Sequence, residues 1–226
     1  RRRRRTRLRI FRSRMRESLT PILLGVLLGL RHATDADHVV AVTTIVARER
    51  SLARAAWVGA IWGVGHTLTL VLIGGAIIAF RLVIPPRIGL GLEFGVALML
   101  IGLGYSNIRR RGEQEVPALT RPLLIGVVHG LAGSAAVALL VLATIREPWA
   151  AAAYLLMFGF GTVLGMMIVT AILALPALYA GNRMRTMRVS IQVAAGALSI
   201  VFGLLLAREL IVDGGLFSAA PTWEPH

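Results

Sequence analysis

The chain contains no cysteine. Disulfides and thiolate metal sites are therefore excluded, and a site for Cu(I) would have to rest on methionine. Charge is scarce too: charged residues are 16% of the 226 positions, where a soluble domain has about a quarter. No Walker-type phosphate loop is present, so nothing in the chain points to nucleotide hydrolysis. No small-residue cleavage site follows the first apolar run, so no classical signal peptide is expected. What the chain has instead is apolar length. Hydrophobic residues make up 56% and the mean hydropathy is +0.74. Uncharged runs cover 57–80, 122–145 and 148–182, each longer than the roughly 20 residues that cross a bilayer as a helix. The runs are continuous rather than alternating, which argues against a strand barrel. The expected fold class is all-α, a polytopic membrane protein in the cell's inner membrane.

The formal net charge of +14 is concentrated at one end, where the first sixteen residues include ten Arg. Such a run can engage nucleic acid or anionic lipid. Beside a membrane helix it reads as a charged tail, and no nucleic-acid partner is expected. The chain divides into a basic tail (1–19), a transmembrane domain (20–212) and a short C-terminal tail (213–226). Six hydrophobic segments are expected, at about 20–47, 55–80, 88–107, 122–145, 149–178 and 189–210. The linkers after the first, third and fifth segments are the richest in Arg. The positive-inside rule puts them in the cytoplasm and both termini outside. The Arg tail argues for the reverse. A re-entrant first segment would reconcile the two, as would a natural start at Met15, "MRESLTPILLGVLLGLRHA", which would make residues 1–14 non-native and dispensable.

Glycines recur at small-xxx-small spacing: Gly25/Gly29, Gly59/Gly63, Gly91/Gly95, Gly126/Gly130 and Gly161/Gly165. This spacing lets helix backbones approach closely in lipid, and packing alone accounts for it. The chain also resembles itself. "GLRHATDADHVVAVTTIVARE" from Gly29 matches "GVVHGLAGSAAVALLVLATIRE" from Gly126, with His32 on His129. "WGVGHT" from Trp62 matches "FGFGTV" from Phe158. "RIGLGLEFGVALMLIG" from Arg87 matches "RVSIQVAAGALSIVFG" from Arg188. Three matches in one order predict a repeat with halves at about 20–110 and 121–212. Three helices per half invert the second half relative to the first. That is the plan of many secondary transporters, with the site between the halves.

Four of the five His lie inside apolar segments: His32, His38, His66 and His129. Asp35, Asp37 and Glu93 lie inside as well. Ionisable groups at membrane depth are costly and point to a functional site. At about 100° per residue, His32, Asp35 and His38 share an arc of about 120° on a regular helix. Asp37 falls outside that arc, so either it orients a His or the helix unwinds at the motif. Imidazole with carboxylate suits a divalent ion such as Ni, Co or Zn, and also non-haem iron. His66 and His129 could complete the site from other helices. A purely structural alternative makes Arg31, Asp35 and Asp37 a buried ion-pair network.

"RHATDADH" resembles the RHA-x-DADH motif of the nickel/cobalt permease superfamily, and "GVGHT" resembles its second motif, Leu-Gly-His-Ser-Thr. "VVHGLAGSAA" and "FGFGTVLGM" look like its short, urease-accessory-type branch. The similarity runs from about residue 22 to 210. It implies a permease carrying Ni²⁺ or Co²⁺ as cargo, with no prosthetic group and no enzymatic activity. His32, Asp35, Asp37 and His38 would be the main site and His66 the second. Partners would be the ion, the bilayer, and either a second copy of the chain or nickel-enzyme maturation proteins. The chain departs from the longer permeases in lacking a helix before the first motif and a late Leu-Gly-Phe-Asp-Thr motif. Its loop "RRRGEQEVPALTR" carries no His. Two other functions fit the residues less fully. One is a membrane metalloenzyme with Glu93 as general base; the other is a haem protein ligated by His66 and His129.

Overall fold

The computed structural model describes residues 22–80, 84–110, 120–131, 144–145, 147–180 and 185–223. The Arg tail, and with it the question of a start at Met15, lies outside the described residues. All regular structure among the described residues is helical. We number the helices α1 (Ile22–His32), α2 (Ala36–Val46), α3 (Leu52–Phe80), α4 (Pro86–Arg109), α5 (Thr120–Gly130), α6 (Pro148–Ala180) and α7 (Arg185–Val212). Four of them, α3, α4, α6 and α7, are long and apolar enough to cross a membrane. Their apolar residues run all the way round, as expected of helices surrounded by other helices and lipid.

The first segment is not the single helix that its hydropathy predicts. It breaks at Ala33–Asp35, between α1 and α2. Thr34 N–H donates to the Arg31 carbonyl at 2.8 Å and Asp35 N–H to the His32 carbonyl at 3.1 Å, which tightens the last turn of α1. Asp35 then takes an extended backbone (φ −60°, ψ 146°), and α2 restarts with Val39 N–H on the Asp35 carbonyl at 3.0 Å. The local sequence favours this break, because Thr and Asp side chains compete for backbone groups and stabilise caps and turns. The Thr34 hydroxyl donates to the Arg31 carbonyl at 2.6 Å, and an Asp37 carboxylate oxygen accepts the His38 N–H at 2.9 Å. Each eleven-residue piece is about 16 Å long, half of a bilayer core, so the break falls between two half-length helices. Hydropathy cannot report it, since both pieces are apolar.

The helices pair most extensively as α3 with α6, α4 with α7 and α3 with α5. Close approach comes from glycines, and the approaches are reciprocal. Gly29 of α1 lies under the Phe158 carbonyl and Thr162 N of α6; Gly126 of α5 lies under the Trp62 carbonyl and His66 N of α3. Gly161 of α6 abuts Val26, and Gly65 of α3 abuts Leu123. In the third segments, Gly104 faces Gly196 and Ile200, while Gly203 faces Ala97 and Ile101. Gly104 and Gly203 thus make matching approaches across the α4–α7 pair. Gly91 and Gly95 have nothing within 4 Å among the described residues; Gly104 makes the close approach on α4 instead.

At one end of the bundle Arg48 closes the last turn of α4. Its guanidinium donates to Asn107 Oδ1 at 2.9 Å and to the Ser106 and Asn107 carbonyls at 3.2 and 3.1 Å. At the other end the C-terminal tail folds back on the start of α4, where Trp223 Nε1–H donates to Glu93 at 3.0 Å over Gly89.

Candidate metal centre

The break in the first segment builds the site. The helix is broken between His32, which ends α1, and His38, in the first turn of α2, and their rings meet edge to face with centroids 4.6 Å apart. The helical-arc argument is therefore not what unites them. His66 reaches the same point from the middle of α3, with its ring 5.0 Å from His32 and 4.9 Å from His38. His129, on the last turn of α5, stacks 4.5 Å from His38. His38, His66 and His129 are wholly buried, and His32 nearly so. All four sequence-predicted imidazoles thus form one contiguous cluster.

The two carboxylates do different work. Asp35 stands at the N-cap of α2 without capping it; its carboxylate accepts from His32 Nδ1–H at 2.7 Å. It is the exposed edge of the cluster, with 39% of its side chain open. Asp37 lies inside and bridges two rings. It accepts from His38 Nδ1–H at 2.9 Å through one oxygen and from His129 Nε2–H at 2.8 Å through the other. Both possibilities raised for Asp37 therefore hold: the helix unwinds and the carboxylate orients imidazoles. Arg31 is exposed. Asp35 and Asp37 are bonded to imidazole, so the buried Arg–Asp network does not form.

The tautomers follow from these bonds. A carboxylate can only accept, so each nitrogen facing one carries the proton and the other ring nitrogen of a neutral imidazole is bare. His32 and His38 therefore present bare Nε2 atoms. His66 Nε2 stands 2.9 Å from His32 Nε2 and must donate to it, which leaves His66 Nδ1 bare. His38 Nε2, His66 Nδ1 and His129 Nδ1 are buried with no hydrogen-bond partner. Buried lone pairs without partners are costly, and carboxylate-anchored imidazoles with a free nitrogen are the usual dress of metal ligands. Two groups of three ligand atoms lie within 4.8 Å of one another: His32, His38 and His66, and Asp37, His38 and His129.

Sequence reasoning missed two walls of the site. Trp62 touches both His38 (5.4 Å) and His129 (5.8 Å), and Phe158 lies 5.5 Å from His32. Their signal was present, because Trp62 and Phe158 open the matched stretches "WGVGHT" and "FGFGTV". The arrangement also bears on the two lesser functions. The ring centroids of His66 and His129 are 6.1 Å apart, and His38 packs against both. Glu93, the spare base, is bonded to the tail through Trp223.

A curated relative, the urease accessory protein UreH of Bacillus sp. (strain TB-90), is 37% identical over 218 residues, covering 88% of this chain and 95% of the relative. No family model matches the chain, and no solved structure matches it.

Proposed function

The chain belongs to the family of the urease accessory protein UreH, and from that premise we propose that it is an inner-membrane transporter for a divalent transition-metal ion, nickel first and cobalt second. The observation that carries this reading is the convergence of four imidazoles from α1, α2, α3 and α5 on one buried point, with two carboxylates setting their tautomers. A site for a resident ion and a site for cargo share that chemistry. What favours cargo is its setting: half-length helices broken at the site, among long apolar helices, as in transporters whose substrate sites lie where helices are discontinuous.

Donor type narrows the ion. Imidazole and carboxylate suit borderline divalent metals. The resemblance of "RHATDADH" to the permease motif points the same way, and an accessory role beside urease fits a supply of nickel to maturing enzyme.

The architecture behind this function is a six-helix inverted repeat, with α1–α2 as one interrupted crossing. The reciprocal approaches support it, since α1 meets α6 through the positions at which α5 meets α3. With no phosphate loop in the chain, transport is secondary or driven by a partner. The test is flux in reconstituted vesicles with Ni²⁺, Co²⁺ and Zn²⁺ in competition. Saturable Ni²⁺ flux, inhibited by Co²⁺ more than by Zn²⁺, is expected; vesicles no more permeable to Ni²⁺ than protein-free ones would refute the reading.

A further inference from the structure

The two ligand groups overlap in a single residue. His32, His38 and His66 form one, and Asp37, His38 and His129 form the other. We propose that the cluster is two cation stations sharing His38 and filled one at a time, so that an ion crosses it by exchanging His32 and His66 for Asp37 and His129. The inference rests on the transport reading and adds the path to it.

Three features of the geometry lead here. His38 has one nitrogen to give while Asp37 holds the other: Nδ1–H bonds Asp37 and only Nε2 is bare. One imidazole lone pair serves one ion, and two dications at such separation in a low-dielectric interior repel strongly, so the stations exclude each other. The second feature is what moves with what. His66 and His129 are fixed to one another, because Gly126 and Gly130 bring α5 against the backbone of α3 at Trp62 and His66. The DADH residues sit on α2, which touches α6 and α7 more than α3. His38 already touches both rings, 4.9 Å from His66 and 4.5 Å from His129, so a short shift of α2 against the α3–α5 pair suffices to hand an ion on His38 from one to the other. Their rings are 6.1 Å apart, which sets the scale of the step. The third feature is chemical asymmetry. The first station is three nitrogens and adjoins the half-exposed Asp35; the second replaces one nitrogen with a carboxylate and is closed in by Trp62. Conduction needs a site strong enough to capture an ion and an adjacent one that lets it leave; two unlike stations with a common ligand provide both.

The experiment compares purified full-length wild type with His66→Gln, His129→Gln, the double variant and His38→Ala. Equilibrium dialysis with Ni²⁺ gives stoichiometry, and X-ray absorption gives the ligand shell. Glutamine keeps a polar side chain in each buried position, and size-exclusion profiles show whether the variants are folded. The relay predicts one Ni²⁺ per wild-type chain, one per chain in each single Gln variant, and none in the double variant or His38→Ala. The His66→Gln shell should be richer in oxygen than the His129→Gln shell. Both single variants should lose Ni²⁺ flux at least tenfold while still binding. Two ions per wild-type chain would overturn exclusive filling. Loss of binding in both folded single variants, with wild-type flux intact, would overturn the relay and leave a single undivided site under the transport reading. Wild type that neither binds nor carries Ni²⁺ would remove both.

Discussion

Asp37 holds two imidazoles at once, one through each carboxylate oxygen. An Asn there offers one acceptor oxygen and one donor N–H₂, so one of the two rings loses its anchor and its tautomer is no longer set. Losing such an anchor typically lowers metal affinity about 10–100-fold. We expect Asp37→Asn to fall in that range in Ni²⁺ dialysis, and Asp35→Asn to cost less, because Asp35 is partly solvated and anchors a single ring. Equal losses for the two would show that the bridge adds nothing. The same rings predict the response to acid. Metal and proton compete for each bare nitrogen, so Ni²⁺ affinity in detergent should fall on acidification. Binding is the quantity to measure, because flux would mix this competition with any proton gradient. Affinity that acid leaves unchanged down to the point of unfolding would argue against imidazole ligation.

Among the helices, the glycines separate contact from mere spacing. Gly29 and Gly126 face carbonyl groups of α6 and α3 directly, and a side chain at either must push the helices apart. Overpacking of this kind costs about 1–3 kcal/mol. Gly29→Leu and Gly126→Leu should therefore lower the thermal midpoint in detergent by similar amounts, as befits equivalent positions. Gly91→Ala and Gly95→Ala have the same spacing but open space around them. They should be neutral, or stabilise by about 0.5–1 kcal/mol through the lost chain entropy of glycine. If all four behaved alike, the reciprocal contacts would not be the source of stability. The tail gives a third case. A side chain at Gly89 would occupy the place of the Trp223 ring, so Gly89→Leu should release residues 213–223 to limited proteolysis while leaving α4 intact.

For the whole molecule, the absence of cysteine becomes an experimental advantage. A single introduced thiol has no background, so sidedness can be read from labelling. Ser51 lies in the turn between α2 and α3, and Ser218 in the tail beyond α7, bonded to Arg87 at the start of α4. On the proposed architecture of six crossings, with α1–α2 as one of them, these serines face opposite sides of the membrane. The Arg-rich linker 47–54 assigns Ser51 to the cytoplasm. In intact cells an impermeant maleimide should label Ser218→Cys and leave Ser51→Cys untouched until the cells are opened. Labelling of both from one side would break the six-crossing topology.

The sequence by itself determined the class of molecule and the cast of its site. Long uncharged runs can be satisfied only as helices in an apolar medium, because every backbone N–H and C=O must find its partner within the segment. Four His and two Asp inside those runs are conspicuous because charge and polarity are expensive there. Both inferences depend on residue type along the chain and need no knowledge of neighbours. The tertiary structure decided how the cast is arranged. It broke the first segment at Ala33–Asp35, a break that hydropathy averages away. It set His129 directly on Asp37. It also gave Asp35 and Asp37 unlike surroundings, one at the edge and one enclosed. Residues two positions apart have the same composition around them in sequence; only the arrival of His129 from α5 makes one of them a bridge.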